Sequence, residues 1–194
     1  MSTPVDQVKR ALRAELRERR QLLSEPQRDA AGRSLKAQLD ALVEAHGATS
    51  ISCYLSTMTE PDTREFVTEA VRRGIRVLLP VTREDGLLDW AVADDTDDTI
   101  PGLLGLPEPT GEVLGPIAVG EVDLMIIPAA ATDHAGTRLG WGRGFFDKTL
   151  GSMENRPPVF AVVYDSEILD DLPHDLHDQR VDGIVTPTQT LTLR

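Results

Sequence analysis

The chain has 194 residues, of which 40% are hydrophobic and 27% charged, and its formal net charge at pH 7 is −12. This length fits a single domain over residues 1–194 that buries roughly 70% of its unfolded surface. The acidic balance disfavours nucleic-acid binding, which needs a broad basic face, and no apolar run approaches the ~20 residues of a membrane span. We therefore expect a compact protein with neither a nucleic acid nor a membrane as partner.

Cys53 is the only cysteine in the chain. An internal disulfide is therefore impossible, and the charged N-terminus is unlike a signal peptide, so a reducing cytoplasm is the expected location. Because Cys53 lies in an apolar run over residues 51–55, we expect a core residue and not a catalytic thiol.

The N-terminal segment predicts an amphipathic helix. Pro4 suits a first helical position, and Val5, Val8, Leu12 and Leu16 then recur along one face. Basic side chains border this apolar stripe and are discussed below.

The rest of the chain alternates between helices and strands. Helical patterns, the first opened by a capping box at 24–27, cover residues 24 to about 45, 63–73 and 145–150. Short apolar runs predict strands over residues 51–55, 76–79, 87–92, 124–127, 159–163 and 183–186. The segment 101–116, rich in glycine and proline, is predicted to be irregular. Alternating β and α elements with buried parallel strands predict a three-layer α/β architecture.

Three basic side chains lie beside the apolar stripe of the first helix. At ~100° per residue, Lys9 and Arg13 fall on one edge of the stripe, and Arg20 lies further along the same edge. A solvated basic face accounts for this pattern. So does a set of cations whose stems pack against the body while their charged groups enter a cleft. The residues alone leave both interpretations open.

The most informative segment follows the predicted strand over residues 124–127. Here the glycine-rich loop, residues 136–144, contains four glycines that let backbone N–H groups approach a ligand, while Arg138 and Arg143 add positive charge. The next predicted helix directs its first N–H groups to the same place. Neither the P-loop pattern nor the dinucleotide fingerprint is present. We expect a phosphate site, with a plain flexible connection as the alternative.

Residues 138–147, RLGWGRGFFD, resemble the signature of the 5-formyltetrahydrofolate cyclo-ligases, also called 5,10-methenyltetrahydrofolate synthetases. Further pieces follow in that family's order, namely KRALR at 9–13, YLS at 54–56 with Glu60, GLPEP at 105–109, and His177 with Asp178. The resemblance spans nearly the whole chain. It implies a three-layer Rossmann-like fold with a largely parallel central sheet and an N-terminal helical segment.

The resemblance also implies an enzyme of one-carbon metabolism. Members of the family are ATP-dependent ligases that form a C–N bond, converting 5-formyltetrahydrofolate to 5,10-methenyltetrahydrofolate with release of ADP and phosphate through a phosphorylated formyl group. ATP is a co-substrate, Mg²⁺ is the implied metal and the reduced folate is the partner. We expect a monomer.

The site residues are carried over from the same resemblance. The implied ATP-binding residues are Lys9, Arg10, Ala11, Leu12, Arg13, Arg138, Leu139, Gly140, Trp141, Gly142, Arg143, Gly144, Phe145 and Phe146. The implied substrate contacts are Leu55, Glu60, Trp141, Arg143 and Phe145. Mg²⁺ is assigned to Asp147 and Asp178, and catalysis to the charges of Lys9, Arg138 and Arg143. No protein nucleophile is needed, so these residues would act by positioning and by neutralising phosphoryl charge.

Simpler interpretations of three acidic positions remain open from the residues alone. Asp147 lies in a first helical turn, where the helix dipole favours a carboxylate without any ligand. Glu60 fits an ordinary loop, and the acidic run 174–178 fits a solvated loop better than a transition-metal site.

The chain departs from the family pattern at Phe145 and Phe146, where the family commonly carries tyrosine. The main alternative function is therefore a non-catalytic or differently specific folate- or nucleotide-binding paralogue. A sugar-phosphate isomerase of related fold is a second alternative, and it would turn over without ATP. A nicotinamide oxidoreductase is disfavoured because the dinucleotide fingerprint is missing.

Overall fold

The computed structural model of the chain describes residues 4–94, 99–102, 105–175 and 177–193. Its first two elements are helices, α1 (Pro4–Gln21) and α2 (Glu25–Ala45), as predicted. The N–H of Ser24 donates to Oε1 of Gln27 at 2.9 Å, which closes the predicted capping box at the start of α2. Within the described ranges, no helix combines the length and the apolar character needed to cross a membrane.

Two further helices, α3 (Arg64–Arg72) and α4 (Phe145–Ser152), confirm the other helical predictions. All six predicted strands are present, with ends that differ by a few residues. The strands in chain order are β1 (Ser50–Ser52), β2 (Arg76–Thr82), β3 (Leu88–Val92), β4 (Thr99–Pro101), β5 (Pro107–Pro109), β6 (Val113–Leu114), β7 (Leu124–Pro128), β8 (Ala131–Asp133), β9 (Arg138–Leu139), β10 (Val159–Val162), β11 (Ile168–Leu169), β12 (Gly183–Val185) and β13 (Thr190–Thr192).

The main sheet has eight strands in the order β13-β12-β10-β7-β1-β2-β3-β6. Its centre, from β12 to β2, is parallel, whereas β13, β3 and β6 pair antiparallel at the edges. β1, α3 and β2 form the predicted βαβ unit. From β1 the chain first moves to β2 on one side and later to β7 on the other. This reversal of strand order marks a ligand-binding crevice in open α/β sheets.

Both faces of the sheet are covered, which explains the uninterrupted apolar sequence of the central strands. Along β7, Leu124 and Ile126 pack with α2 and α3, while Met125 and Ile127 pack with α4 and the short helix Pro116–Glu121 on the opposite face. The resulting three layers confirm the predicted fold class.

Two regions differ from the sequence-based expectation. The segment 101–116 was expected to be irregular, but β5 pairs with β4 and β6 extends the main sheet beside β3. β8, β9 and β11 form a small three-stranded sheet where only a loop was expected. Strands of two or three residues are too short to give a periodic pattern. The small sheet packs on α1, since Ala131 and Leu139 share an apolar cluster with Leu16.

Candidate active site

A cavity of about 690 Å³ opens beyond the carboxyl ends of β1, β2 and β7, at the point where the strand order reverses. Its described walls come from α1, the loop after β1, the β2–β3 hairpin, the segment 106–108, the glycine-rich loop with the start of α4, and positions 175 and 178. This size falls within the usual range for a small-molecule site.

Lys9 of α1 is buried at the edge of the cavity, with 7% of the residue exposed. Its Nζ donates to Oδ2 of Asp175 at 2.7 Å and to Oδ2 of Asp178 at 2.5 Å. Burial opposes the charge of Lys9, but the hydrogen bonds to the two carboxylates outweigh it and raise the pKa of the ammonium above 10.5. Lys9 is therefore a fixed cation at the cavity wall.

The buried face of α1 is rotated relative to the prediction. Val8, placed in the apolar stripe, is 55% exposed, whereas Lys9 and Arg20, placed at its edge, are buried together with Leu16. The expectation that the basic residues border the buried face is wrong for these two, because Arg20 pairs with the buried Glu167 and Lys9 pairs with Asp175 and Asp178 at the cavity wall.

Arg13 connects α1 to the glycine-rich loop. Its Nε donates to the carbonyl oxygen of Gly140 at 2.7 Å. Gly142 has φ of +96°, and a Cβ added there would lie 3.4 Å from the Arg13 guanidinium carbon. The positive φ favours glycine at this position, and an added Cβ would make an ordinary van der Waals contact with the Arg13 guanidinium.

Arg138 lies on β9, and its side chain is almost completely buried under the loop. Its Nη2 donates to Oδ1 of Asp147 at 2.6 Å, which joins β9 to the first turn of α4. Nε of Arg138 is buried without a hydrogen-bond partner among the described residues. A buried, unsatisfied guanidinium N–H beside a cavity suits an anionic ligand.

Arg20 of α1 contacts the ring of Trp141, an aromatic residue of the cavity wall. Its guanidinium donates from Nε and Nη2 to the two oxygens of Glu167 at 2.6 and 2.8 Å, and it lies 4.9 Å from the centre of the Trp141 ring. Arg17 approaches the same ring at 5.4 Å. Trp141 lines the cavity, so two arginines of α1 orient an aromatic wall of the site.

Leu55 and Glu60 belong to the loop that follows β1, and both line the cavity. The Glu60 carboxylate accepts hydrogen bonds from the N–H and the hydroxyl of Thr57, each at 2.9 Å. Glu60 is thus held by its own loop while it lines the cavity.

Cys53, two residues before Leu55, is buried, and burial raises the pKa of its thiol to about 12. A thiol with that pKa stays neutral, as expected for a core residue.

Most of the predicted site residues line this one cavity. They are Lys9, Arg13, Leu55, Glu60, Arg138, Leu139, Gly140, Trp141, Gly142, Arg143, Gly144, Phe145, Phe146, Asp147 and Asp178. The structure does not bring Arg10, Ala11 and Leu12 to it, because Arg10 and Ala11 are exposed and Leu12 packs beside Leu16. These three positions lie between Lys9 and Arg13 on other faces of the same helix, and their contact with ATP stays a prediction.

Sequence reasoning missed four charged lining residues, Asp6, Arg17, Glu108 and Asp175. Asp175 lies in the acidic run 174–178, which was expected to be solvated, and its contact with Lys9 comes from a residue far away in the chain. Glu108 stands in the GLPEP segment, so its motif was noticed although no role was assigned to it.

Asp147 and Asp178 offer carboxylate oxygens to the same cavity. The hydrogen bonds of Asp147 end on Oδ1, and those of Asp178 end on Oδ2. No described residue donates to the second oxygen of either. The described ranges hold no group of three or more His, Cys, Asp or Glu side chains arranged for a metal. Mg²⁺ usually takes one or two carboxylates and completes its shell with water and phosphate, so this pair fits it.

Comparisons with known proteins identify the family of this chain. The sequence model of the 5-formyltetrahydrofolate cyclo-ligase family matches residues 5–187. The chain is 34% identical over 189 residues to the 5-formyltetrahydrofolate cyclo-ligase of Mycolicibacterium smegmatis, covering 92% of this chain and 93% of the relative. It is 27% identical over 177 residues to the Escherichia coli K12 cyclo-ligase, covering 90% and 97%.

Solved structures of similar fold include the 5,10-methenyltetrahydrofolate synthetase of Aquifex aeolicus. That match has a TM-score of 0.81 and 27% identity over 96% of this chain and 93% of the other. The synthetase of Mycoplasma pneumoniae, at 20% identity, shares the fold with a TM-score of 0.74 over 92% and 98%. The family model and the relative from Mycolicibacterium smegmatis each match nearly the whole chain, and the chain therefore belongs to the 5-formyltetrahydrofolate cyclo-ligase family.

Proposed function

We propose that this protein is an ATP-dependent cyclo-ligase that converts 5-formyltetrahydrofolate to 5,10-methenyltetrahydrofolate, ADP and phosphate. One observation carries the proposal: the cations of α1, the glycine-rich loop and the Leu55–Glu60 loop line one continuous cavity. A phosphate donor and a reduced folate can therefore meet without a large rearrangement of the fold. The names of the relatives support the same reaction.

The phosphates of ATP are proposed to lie between the N-terminal half of α1 and the glycine-rich loop. Lys9 and Arg13 approach this end from α1 and Arg138 approaches it from β9, while Arg143 is exposed on the loop with no ion-pair partner among the described residues. Several fixed cations oppose the overall acidity of the chain at this one place. Lys9, Arg138 and Arg143 are the residues proposed to neutralise charge during transfer.

Mg²⁺ is proposed to be held by Asp147 and Asp178, where it would supply additional positive charge to the phosphates. Lys9 donates to Asp178 and Arg138 to Asp147, so the two carboxylates are already oriented by cations that line the same cavity. The compartment and the association state are also parts of the proposal: a cytoplasmic enzyme acting as a monomer.

The folate is proposed to occupy the end of the cavity formed by the loop after β1 and the C-terminal half of α1. Arg17 lies about 12 Å beyond Lys9 along the helix axis at 1.5 Å per residue. It contacts Trp141, while Leu55 and Glu60 face the same cavity. Glu60 is an acceptor for pterin N–H groups, and Leu55, Trp141 and Phe145 supply apolar surface for its ring faces.

The chemistry requires no nucleophile from the protein. The formyl oxygen on N5 attacks the γ-phosphorus of ATP, the bond from phosphorus to the bridging oxygen breaks, and ADP leaves. N10 then attacks the activated carbon and loses its proton, and the C–O bond breaks to release phosphate. The protein aligns the formyl oxygen with the γ-phosphate and holds cations where charge develops.

The phenylalanine pair at 145–146 bears directly on activity. Both rings are half-buried, pack against the core from the first turn of α4 and line the cavity, so they keep an aromatic wall without a hydroxyl. Because the proposed chemistry uses no tyrosine oxygen, turnover is compatible with phenylalanine at both positions.

The proposal is tested by mixing purified protein with 5-formyltetrahydrofolate and Mg·ATP while following the absorbance of the methenyl product. We expect product, ADP and phosphate to form in equal amounts. Nucleotide or folate binding without product would favour the binding paralogue instead. Turnover of a sugar phosphate without ATP would favour the isomerase.

A further inference from the structure

Glu108 is a buried carboxylate in the cavity wall that the chemistry above does not use. It belongs to β5, only 6% of the residue is exposed, and it lines the cavity. We propose that Glu108 is a second folate-binding carboxylate that accepts hydrogen bonds from the amino and ring N–H groups of the reduced pterin. This inference rests on the proposed function and names a specificity residue for it.

One oxygen of Glu108 is anchored and the other is not. Oε1 accepts from the backbone N–H of Thr82 at 2.8 Å and from its hydroxyl at 2.6 Å. No described residue donates to Oε2. Thr82 ends β2 at the carboxyl edge of the sheet, so the anchor orients Glu108 beside the cavity.

Glu60 is held in the same manner at the neighbouring strand. A threonine, Thr57, donates its N–H and its hydroxyl to one carboxylate oxygen of Glu60. Glu60 follows β1 and Glu108 is fixed to the end of β2, and these strands are adjacent and parallel. The cavity therefore has two anchored glutamates, and each keeps a second oxygen for a ligand.

The charge of Glu108 has no ionic partner among the described residues. Burying an unpaired carboxylate is costly unless donors satisfy it. A reduced pterin carries several N–H donors and no negative charge on its rings. A phosphate would be repelled here, so Glu108 also favours placing the folate, and not ATP, at this part of the cavity.

The backbone at Gly102 lies very close to the Glu108 carboxylate. A Cβ added at Gly102 would lie 1.9 Å from Cδ of Glu108, so any other residue at position 102 would displace the side chain. Leu88 and Leu106 line the cavity beside it and offer apolar surface for a planar ring. The glycine and the threonine thus keep the carboxylate in place beside an apolar slot.

The deciding variant is Glu108→Gln. Its side-chain carbonyl can accept both hydrogen bonds from Thr82, so an anchoring role is preserved, but an NH₂ donor replaces the oxygen available to the pterin. Glu112→Gln is the matched control, because it removes the same charge from an exposed position in the following turn. Folate binding is measured by calorimetry without ATP, and KM values and Tm are measured for all variants.

We expect Glu108→Gln to weaken binding of 5-formyltetrahydrofolate by about tenfold or more and to raise its KM equally, with the KM for ATP and the Tm unchanged. Glu112→Gln should behave as wild type. Unchanged folate affinity, an equal rise of both KM values, or a loss that follows Tm would overturn the inference. In those cases wild-type turnover still supports the proposed function. Wild-type folate binding without product would refute the proposed function alone, and absence of folate binding would refute both.

Discussion

Replacement of Arg20 by methionine removes the guanidinium that holds the C-terminal half of α1 against the body. Arg20 is 1% exposed and forms a two-point ion pair with Glu167. It also donates to the carbonyl oxygen of Ala129 at 2.8 Å and lies against the rings of Trp141 and Tyr164. Methionine has a similar length and is apolar, so the substitution removes the charge and its hydrogen bonds but keeps most of the volume.

The loss of stability in this variant comes from the Glu167 carboxylate, which stays buried without its partner. Removing one partner of a buried ion pair typically destabilises a protein by about 3–5 kcal/mol, because the remaining charge is buried without compensation. Glu167 would retain the N–H of Tyr164 at 2.8 Å, so we expect about 3 kcal/mol, the lower end of that range. Glu167→Gln in the Arg20→Met background removes the stranded charge and should restore part of the lost stability.

The pH dependence gives a second readout. Burial already raises the pKa of Glu167 above its ordinary 4.5 in spite of the Arg20 hydrogen bonds. Without Arg20 the folded protein would hold this proton more tightly than the unfolded chain, so stability is retained below pH 4.5 and lost as pH rises above it. Urea unfolding followed by circular dichroism should give a larger penalty at pH 7.5 than at pH 5. A penalty below about 1 kcal/mol, or one independent of pH, would refute the buried ion pair.

Three further predictions concern the loop and the sheet edge. Arg143→Ala should lower the single-turnover rate at saturating ATP and folate by about 10²-fold in rapid-quench measurements, and an unchanged rate would remove Arg143 from the chemistry. Gly142→Ala strains a positive-φ backbone in the loop that lines the cavity and should raise the KM for ATP. Gly74→Ala, at a similar positive φ in a position that is not part of the cavity wall, should lower stability only, and equal KM values for the two variants would contradict a role of the loop backbone in ATP binding. Hydrogen bonds from two backbone N–H groups lower the pKa of Asp123 below 3.8, so stability should fall as acid protonates it, and Asp123→Asn should flatten this part of the unfolding curve against pH.

The sequence was a good guide to the main sheet and a poor guide to its additions. The buried run at β7 has apolar side chains on both faces, which only a covered parallel strand requires. By contrast, β9 consists of Arg138 and Leu139 alone, and its pairing with β8 depends on contacts across the loop. Local patterns carry no information about such short pairings.

The site residues, like the strands, were predictable where they depend on neighbours in the sequence and not where they depend on residues far away in the chain. The glycine-rich loop was recognisable because its glycines and arginines are contiguous. The burial of Lys9 was not, because its carboxylates lie 166 and 169 positions away. Helical periodicity counts a lysine as polar, whereas a paired lysine can occupy the buried face. Glu108 escaped notice for the same reason, since its threonine anchor comes from another strand.

In the proposed mechanism, the formyl oxygen itself receives the phosphoryl group in this cavity. Substrate labelled with ¹⁸O in the formyl group, incubated with the protein and Mg·ATP, tests it directly. We expect each methenyl product formed to be matched by a phosphate molecule carrying the ¹⁸O. Methenyl product accompanied by unlabelled phosphate, with the ¹⁸O released to water, would contradict it.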